Sequence, residues 1–136
     1  MTKLKSSRIA NLGLPSGAML ILFAGICFLF SPMAVAGEAD VVGAKATQTA
    51  PGTWRFDVTV RHSDTGWDHY ANRWDVIGPD GTGLGVRVLA HPHVNEQPFT
   101  RSLGGVKIPK DTPYVTIRAN DSVDGLGGEE IRVPLQ

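Results

Sequence analysis

Cysteine is nearly absent from this chain of 136 residues. Its one cysteine, Cys27, and its three methionines all lie within the first 36 positions. Residues 37–136 therefore contain neither a thiol nor a thioether. This absence excludes a disulfide framework and a thiolate metal site there, and it leaves imidazole as the nitrogen or sulfur side chain suited to a transition metal.

A basic excess is also missing from residues 37–136. This stretch holds 10 of the 13 Lys and Arg residues but all 13 Asp and Glu residues, which gives a formal charge of −3. Nucleic-acid-binding domains usually carry a clustered basic stripe, so we expect no nucleic-acid partner. One hundred residues suit one domain of common size.

Long apolar runs are confined to Ala18–Phe30, an uncharged stretch of 13 residues. It follows the basic residues Lys3, Lys5 and Arg8 and precedes Ala34-Val35-Ala36, a small-x-small cleavage pattern. A transmembrane helix needs about 20 apolar residues, so the run is too short to be a membrane anchor. We expect residues 1–36 to be a signal peptide, and the mature domain, residues 37–136, to be periplasmic or secreted without a membrane span.

Cys27 raises the alternative of a lipoprotein. Ile26 precedes it where a small residue is expected, and Phe28 prolongs the apolar run. These neighbours favour the interpretation that Cys27 belongs to the removed peptide.

The hydrophobic period of residues 37–136 is two. Trp54, Phe56, Val58 and Val60 alternate with polar residues, which predicts a strand with one buried face. Similar runs bounded by Gly- and Pro-rich turns predict an all-β, two-sheet sandwich of seven strands. The expected strands are 40–48, 53–62, 69–77, 83–90, 98–107, 113–120 and 129–135.

This pattern resembles an immunoglobulin-like sandwich, closest to the fibronectin type III variety. Trp54 and Trp74 stand where such domains place core aromatics, and the stretch Ile108–Ala119 is similar to that family's turn into its sixth strand. The resemblance implies that Tyr114 is a corner tyrosine whose hydroxyl ties down the turn. It implies no function, because sandwiches host many unrelated roles.

All four histidines fall within 32 consecutive residues. If every connection reverses the chain, three connections share one end of the sandwich: Arg61–Asp68, His91–Gln97 and Asn120–Gly128. We call this end the histidine pole. The other end holds plain turns, with Asp80, Lys110 and Asp111 as its charges.

A metal site is one interpretation of the histidine pole. His91 and His93 are two positions apart and, in an extended strand, would project to one face about 7 Å apart, although the polyproline geometry favoured by Pro92 would make them diverge. Nitrogen and oxygen ligands suit Cu²⁺ or Zn²⁺. The candidate ligands are His62, His69, His91, His93, Asp121 and Asp124.

The function that we expect is instead a non-enzymatic binding module for an unknown periplasmic protein or small ligand, with the histidines bonded to backbone and no certain cofactor; the metal site is the alternative. Trp67 is expected on a loop, either exposed for binding or as a plug over the sandwich end. Glu96 and Arg101 are expected to form an ion pair. The candidate partner-binding residues are Trp67, Asp68, Tyr70, Glu96 and Arg101. No nucleophile motif supports catalysis, so a metal-dependent enzyme is the third alternative.

Overall fold

The computed structural model describes Gly13 and residues 37–136, so the expected signal peptide, with Cys27, lies outside the described residues. Eight strands follow one another: β1 (Asp40–Ala50), β2 (Thr53–Arg61), β3 (Ala71–Ile77), β4 (Gly83–Val88), β5 (Phe99–Lys107), β6 (Tyr114–Asp121), β7 (Gly125–Leu126) and β8 (Ile131–Pro134). Among the described residues there is no helix that could cross a membrane.

Two antiparallel sheets make up the fold. The first has the order β1-β2-β5; the second has the order β4-β3-β6-β7, with β8 also pairing with β6. Side chains from both sheets contribute to one buried apolar cluster. The arrangement is that of a β-sandwich, which confirms the expected all-β class.

The expected count of seven strands is wrong, because the structure has eight. The extra strand, β7, falls within the glycine-rich stretch that we expected to be a turn. Gly125 has a φ of 78°, a conformation that glycine adopts readily, and Gly125 and Leu126 turn back to pair with Asp121 and Asn120. The glycine-rich composition of this stretch is typical of turns, and it therefore did not predict a two-residue strand.

The core follows from the two-residue period. In β2 the side chains of Trp54, Phe56, Val58 and Val60 are buried, as the alternation predicts. Trp74 on β3 is fully buried in the same cluster as Val58 and Ile117. The predicted facing of these strands is confirmed.

Tyr114 differs from the expected corner tyrosine. Its ring is half-buried, and the guanidinium carbon of Arg132 lies 4.1 Å from the ring centroid. Within residues 37–136 its hydroxyl forms no hydrogen bond. Tyr114 therefore contributes a cation–π contact between β6 and β8 instead of tying down the turn.

The start of β1 is held against the chain before β8. The Val41 amide donates to the Glu129 carbonyl at 2.8 Å, and the Glu129 amide donates to Asp40 Oδ1 at 2.9 Å. A Cβ atom on Gly128 would overlap the Ala39 carbonyl group. Glycine at this position allows the two segments to approach.

Candidate metal centre

Asp64 is the centre of the histidine pole. Its carboxylate is fully buried in the connection between β2 and β3. Oδ1 accepts the Ala71 amide at 3.0 Å, and Oδ2 accepts the His93 amide at 2.7 Å. Because Ala71 opens β3 and His93 lies between β4 and β5, one carboxylate fixes two connections to each other.

The His62 ring is oriented by that carboxylate. Nδ1 of His62 lies 2.6 Å from Oδ1 of Asp64. Since both oxygens of Asp64 already accept amide hydrogens, Nδ1 carries the proton and donates it. The backbone amide of His62 also donates to Oε1 of Gln97 at 3.0 Å. Nε2 of His62 is left buried, without a hydrogen-bond partner among the described residues.

His69 approaches the same place from the end of a short turn. The Thr65 amide donates to the His69 carbonyl, and the His69 amide donates to the Gly66 carbonyl, which closes the turn. The rings of His69 and His62 meet edge to face, with centroids 4.9 Å apart. Nε2 of His69 lies 3.0 Å from Oδ1 of Asp121 and 3.3 Å from Oδ2 of Asp124.

Asp121 ends β6 with a fully buried side chain. Burial by itself raises the pKa of this carboxyl, but hydrogen bonds from the amides of Asp124 and Val123 and from the His69 ring outweigh burial and hold the pKa below its usual value. All three donors meet Oδ1. Oδ2 is buried and has no partner in the described chain.

Three ligand atoms are thus brought together. One from each of His62, His69 and Asp121 lie within 4.8 Å of one another. Ligands about 2.0–2.1 Å from a tetrahedral zinc ion would be roughly 3.3 Å apart, which lies within that limit. Because Asp64 occupies Nδ1 of His62, the atom left for an ion is Nε2. A ligating histidine whose second nitrogen donates to a carboxylate is the usual outer arrangement of protein metal sites.

The tripeptide His91-Pro92-His93 does not join this group. The imidazole of His93 is stacked on Phe99, with centroids 3.9 Å apart, and neither of its nitrogens has a partner among the described residues. Burial, with the charges of Arg101 and His91, lowers the pKa of His93. His91 is exposed, and its Nδ1 lies 3.0 Å from the Pro92 carbonyl. The two rings lie 4.6 Å apart between centroids, one exposed and the other buried, and neither belongs to the group of His62, His69 and Asp121.

The expected partner-binding residues lie on the same pole. Trp67 is 68% exposed and meets the Tyr70 ring edge to face at 5.7 Å, so it does not plug the sandwich end. Asp68 is exposed beside it. Arg101 donates to both carboxylate oxygens of Glu96, at 3.3 and 3.0 Å, which confirms the expected ion pair.

Two residues of the centre have roles that the sequence did not predict. Asp64, one of the carboxylates of the pole that could complete a metal site, instead orients His62, and Gln97 lies in the His91–Gln97 connection. Gln97 donates from Nε2 to the His93 carbonyl at 3.0 Å and accepts from His62, so it bridges two connections. The available signal was the His62-x-Asp64 spacing at the end of a strand, which returns both side chains to the buried face.

Comparison with known proteins gives one similarity. The chain is 38% identical over 99 residues to a protein of Halomicrobium mukohataei named "Putative lipoprotein". The matched stretch covers 73% of this chain and 48% of that protein, so the chain spans about half the length of the curated relative that it matches. No family model matches the chain, and no solved structure matches it.

Proposed function

We propose that residues 37–136 form an exported metal-binding module that holds Zn²⁺ or Cu²⁺ with His62, His69 and Asp121. One observation carries the proposal: Nε2 of His62 and Oδ2 of Asp121 are buried without hydrogen-bond partners in the described chain, within one cluster of ligand residues. Leaving a buried polar group unpaired costs about 1–3 kcal/mol, and a bound cation would remove that cost for both atoms.

The chemical types of the three ligands determine which metal ion the site prefers. Two imidazoles and a carboxylate, without sulfur, suit Zn²⁺ and Cu²⁺ better than Ca²⁺ or Mg²⁺, which prefer oxygen. Asp64 would hold His62 in the tautomer that presents Nε2, and the Val123 and Asp124 amides would hold the Asp121 carboxylate. These contacts exist before an ion enters, whereas His69, whose Nε2 donates to Asp121, would have to present a nitrogen free of its proton.

Binding is proposed here and not catalysis. The larger clefts lie away from the metal centre. One of about 500 Å³ is lined by Trp54, Ile108 and neighbouring residues at the opposite end of the sandwich. Its charged side chains are those of Lys110 and Asp111. Beside the ligands lies a smaller cleft of about 200 Å³, lined by His62, its two chain neighbours and the segment 37–40.

We also propose that the sandwich is immunoglobulin-like, of the fibronectin type III variety. In constant-type immunoglobulin domains the fourth strand joins the sheet of the first, second and fifth strands. Here β4 pairs with β3 and lies in the sheet of β6. This order supports the resemblance drawn from Trp54, Trp74 and the stretch Ile108–Ala119.

Export of this chain is a proposal supported by two features. The first 36 residues carry the composition of a signal peptide, and the name of the relative contains the word lipoprotein. The intact mass of protein taken from its own host distinguishes a cleaved, exported protein from one that is anchored by a lipid. A mass that starts at Gly37 indicates cleavage after Ala36, whereas a lipid adduct on Cys27 indicates an anchored protein. A cytoplasmic full-length chain would overturn export.

Titration with each ion tests the metal proposal. We would add Zn²⁺ or Cu²⁺ to tag-free, chelator-treated protein and follow the melting temperature. A hundredfold excess over the dissociation constant stabilises by about 2.7 kcal/mol, which corresponds to roughly 10–20 °C for a domain of this size. His69→Gln and Asp121→Asn should each remove most of this shift.

His93→Phe is the matched control, because it removes a buried imidazole of the same pole that lies outside the ligand group. It should respond to the ion like the parent protein. Equal shifts in the parent and in both ligand variants would contradict the proposed site, as would no shift with either ion.

A further inference from the structure

Exposed apolar side chains are gathered on the histidine pole. Each of its three connections presents at least one: Trp67 is 68% exposed, Val94 50%, and Val123 and Leu126 61% and 40%. The turns at the opposite end, 51–52, 78–82 and 108–113, present no exposed large apolar side chain. Single exposed apolar residues are ordinary, but one on each of three converging loops is the composition of an interaction surface.

The proposed metal centre is also incomplete. Zinc in proteins has four ligands, and a site with three protein ligands keeps one position open. Asp124 reaches His69 but lies outside the mutually close group of His62, His69 and Asp121. The fourth ligand must therefore come from outside the group.

His91 is an imidazole available on the same pole. It is exposed, and its Nδ1 is held by the Pro92 carbonyl, which leaves Nε2 as the free nitrogen. In its own chain it belongs to no ligand group among the described residues. A second copy of the chain would bring such a nitrogen together with an apolar surface.

We propose that metal binding joins two copies of the chain pole to pole, with His91 of each copy supplying the fourth ligand to the ion held by the other. The inference rests on the proposed metal site. A two-fold interface is self-complementary, so a single donor and a single acceptor site per chain satisfy both ions. Trp67, Val94 and Val123 would be buried around the two ions.

The charges of the pole explain why the ion is needed. Asp64, Asp68, Asp121 and Asp124 lie on it, whereas the nearby Arg61 and Arg101 are paired with Asp40 and Glu96. Two such poles repel each other in the absence of an ion. A divalent cation on each pole offsets the repulsion, so the dimer should form only with metal.

Sedimentation velocity of the full mature chain with Zn²⁺ or with EDTA tests the proposal. We expect the mass of a monomer in EDTA and twice that mass with one equivalent of Zn²⁺. His91→Ala should still bind Zn²⁺, more weakly, and remain monomeric. Trp67→Ala should retain Zn²⁺ and raise the dimer dissociation constant at least tenfold.

Mixing two variants sharpens the test. His91→Ala keeps the three-ligand site but lacks the donor, and Asp121→Asn keeps the donor but lacks a ligand. Each should be monomeric alone, whereas an equimolar mixture should form dimers that contain one Zn²⁺ per two chains. This complementation requires a ligand that crosses between chains.

The outcomes separate the two proposals. A protein that binds Zn²⁺ but remains monomeric overturns the dimer and leaves the metal site standing. A zinc-dependent dimer that persists in His91→Ala overturns the role of His91. Absence of Zn²⁺ binding in the parent protein overturns the metal site and, with it, this inference.

Discussion

Nδ1 of His62 lies 2.6 Å from Oδ1 of Asp64, and both side chains are fully buried. The pair fixes the tautomer of His62, and the same carboxylate accepts the amides of Ala71 and His93. Asp64 therefore serves the fold and the proposed site together. Its removal should affect both, but by different physical routes.

Two different substitutions of Asp64 distinguish its effect on the stability of the domain from its effect on metal binding. Asp64→Ala leaves two buried amides and the His62 ring without an acceptor and should destabilise the domain by about 3–5 kcal/mol, the cost of breaking a buried charged contact. Asp64→Asn preserves the shape and one acceptor oxygen but removes the negative charge behind His62, so metal affinity should fall by about 10–100-fold. Urea unfolding and metal titration measure the two effects.

Asp68→Asn is the matched control for Asp64→Asn. Asp68 is exposed and forms no ion pair within residues 37–136. It should change unfolding and affinity little. If Asp64→Asn binds metal as tightly as this control, Asp64 does not support the ligand.

The sequence predicted which end of the sandwich holds the site more accurately than it predicted which residues form the site. Strand parity correctly brought His62, His69 and Asp121 to one end of the sandwich, because the paired strands from β1 to β6 are antiparallel. Which hydrogen bonds form at that end depends on the directions of side chains in loops. Hydrophobic periodicity carries no information about those directions. Strand parity therefore predicted neither that His91 and His93 lie outside the three-ligand group nor that Asp64 accepts the amides of two connections.

Truncation of Trp74 tests the core. This side chain is fully buried between the sheets, and Trp74→Ala should destabilise by about 3–5 kcal/mol. Trp67→Ala removes an indole of the same size that is 68% exposed, and should change the free energy of unfolding by less than about 0.5 kcal/mol without metal. Comparable losses in the two variants would contradict the facing of β3.

The strands were predictable because one face of each sheet is buried. Trp54 to Val60 shows the period of two that burial imposes on β2. β7 could not be predicted in this way, because a two-residue strand has no period and its glycine has a turn conformation. Its pairing follows a local turn in which Oδ1 of Asp121 accepts the amides of Val123 and Asp124.

Gly128 should tolerate no side chain. A Cβ there would overlap the Ala39 carbonyl and crowd Asp40. Gly128→Ala must therefore separate β1 from the segment before β8, and we expect a loss of about 1–3 kcal/mol, typical of overpacking. Gly104→Ala is the control, because its Cβ would meet open space. Thermal unfolding of the two variants checks the prediction, and equal melting temperatures would contradict the close approach.

His93 should make the stability of the domain depend on pH. Burial lowers its pKa from the usual value of 6.5, helped by Arg101 and His91 and opposed by Glu96 and Asp64. The unfolded chain therefore binds a proton at a higher pH than the folded chain does. In the window from about 6.5 down to the lower folded pKa, stability must fall as the pH falls.

His93→Phe should flatten that part of the stability profile. Phenylalanine preserves the stacking on Phe99 and the backbone hydrogen bond to Asp64, and it removes two buried nitrogens that have no partner in the described chain. We therefore expect stability at pH 7.5 to be maintained or increased, and the loss between pH 7 and 5 to be smaller than in the parent. Urea unfolding in the presence of EDTA over this range measures both quantities. His91→Ala, which removes an exposed imidazole, is the control and should retain most of the slope. If His93→Phe loses stability on acidification as steeply as His91→Ala, protonation of His93 is not the cause.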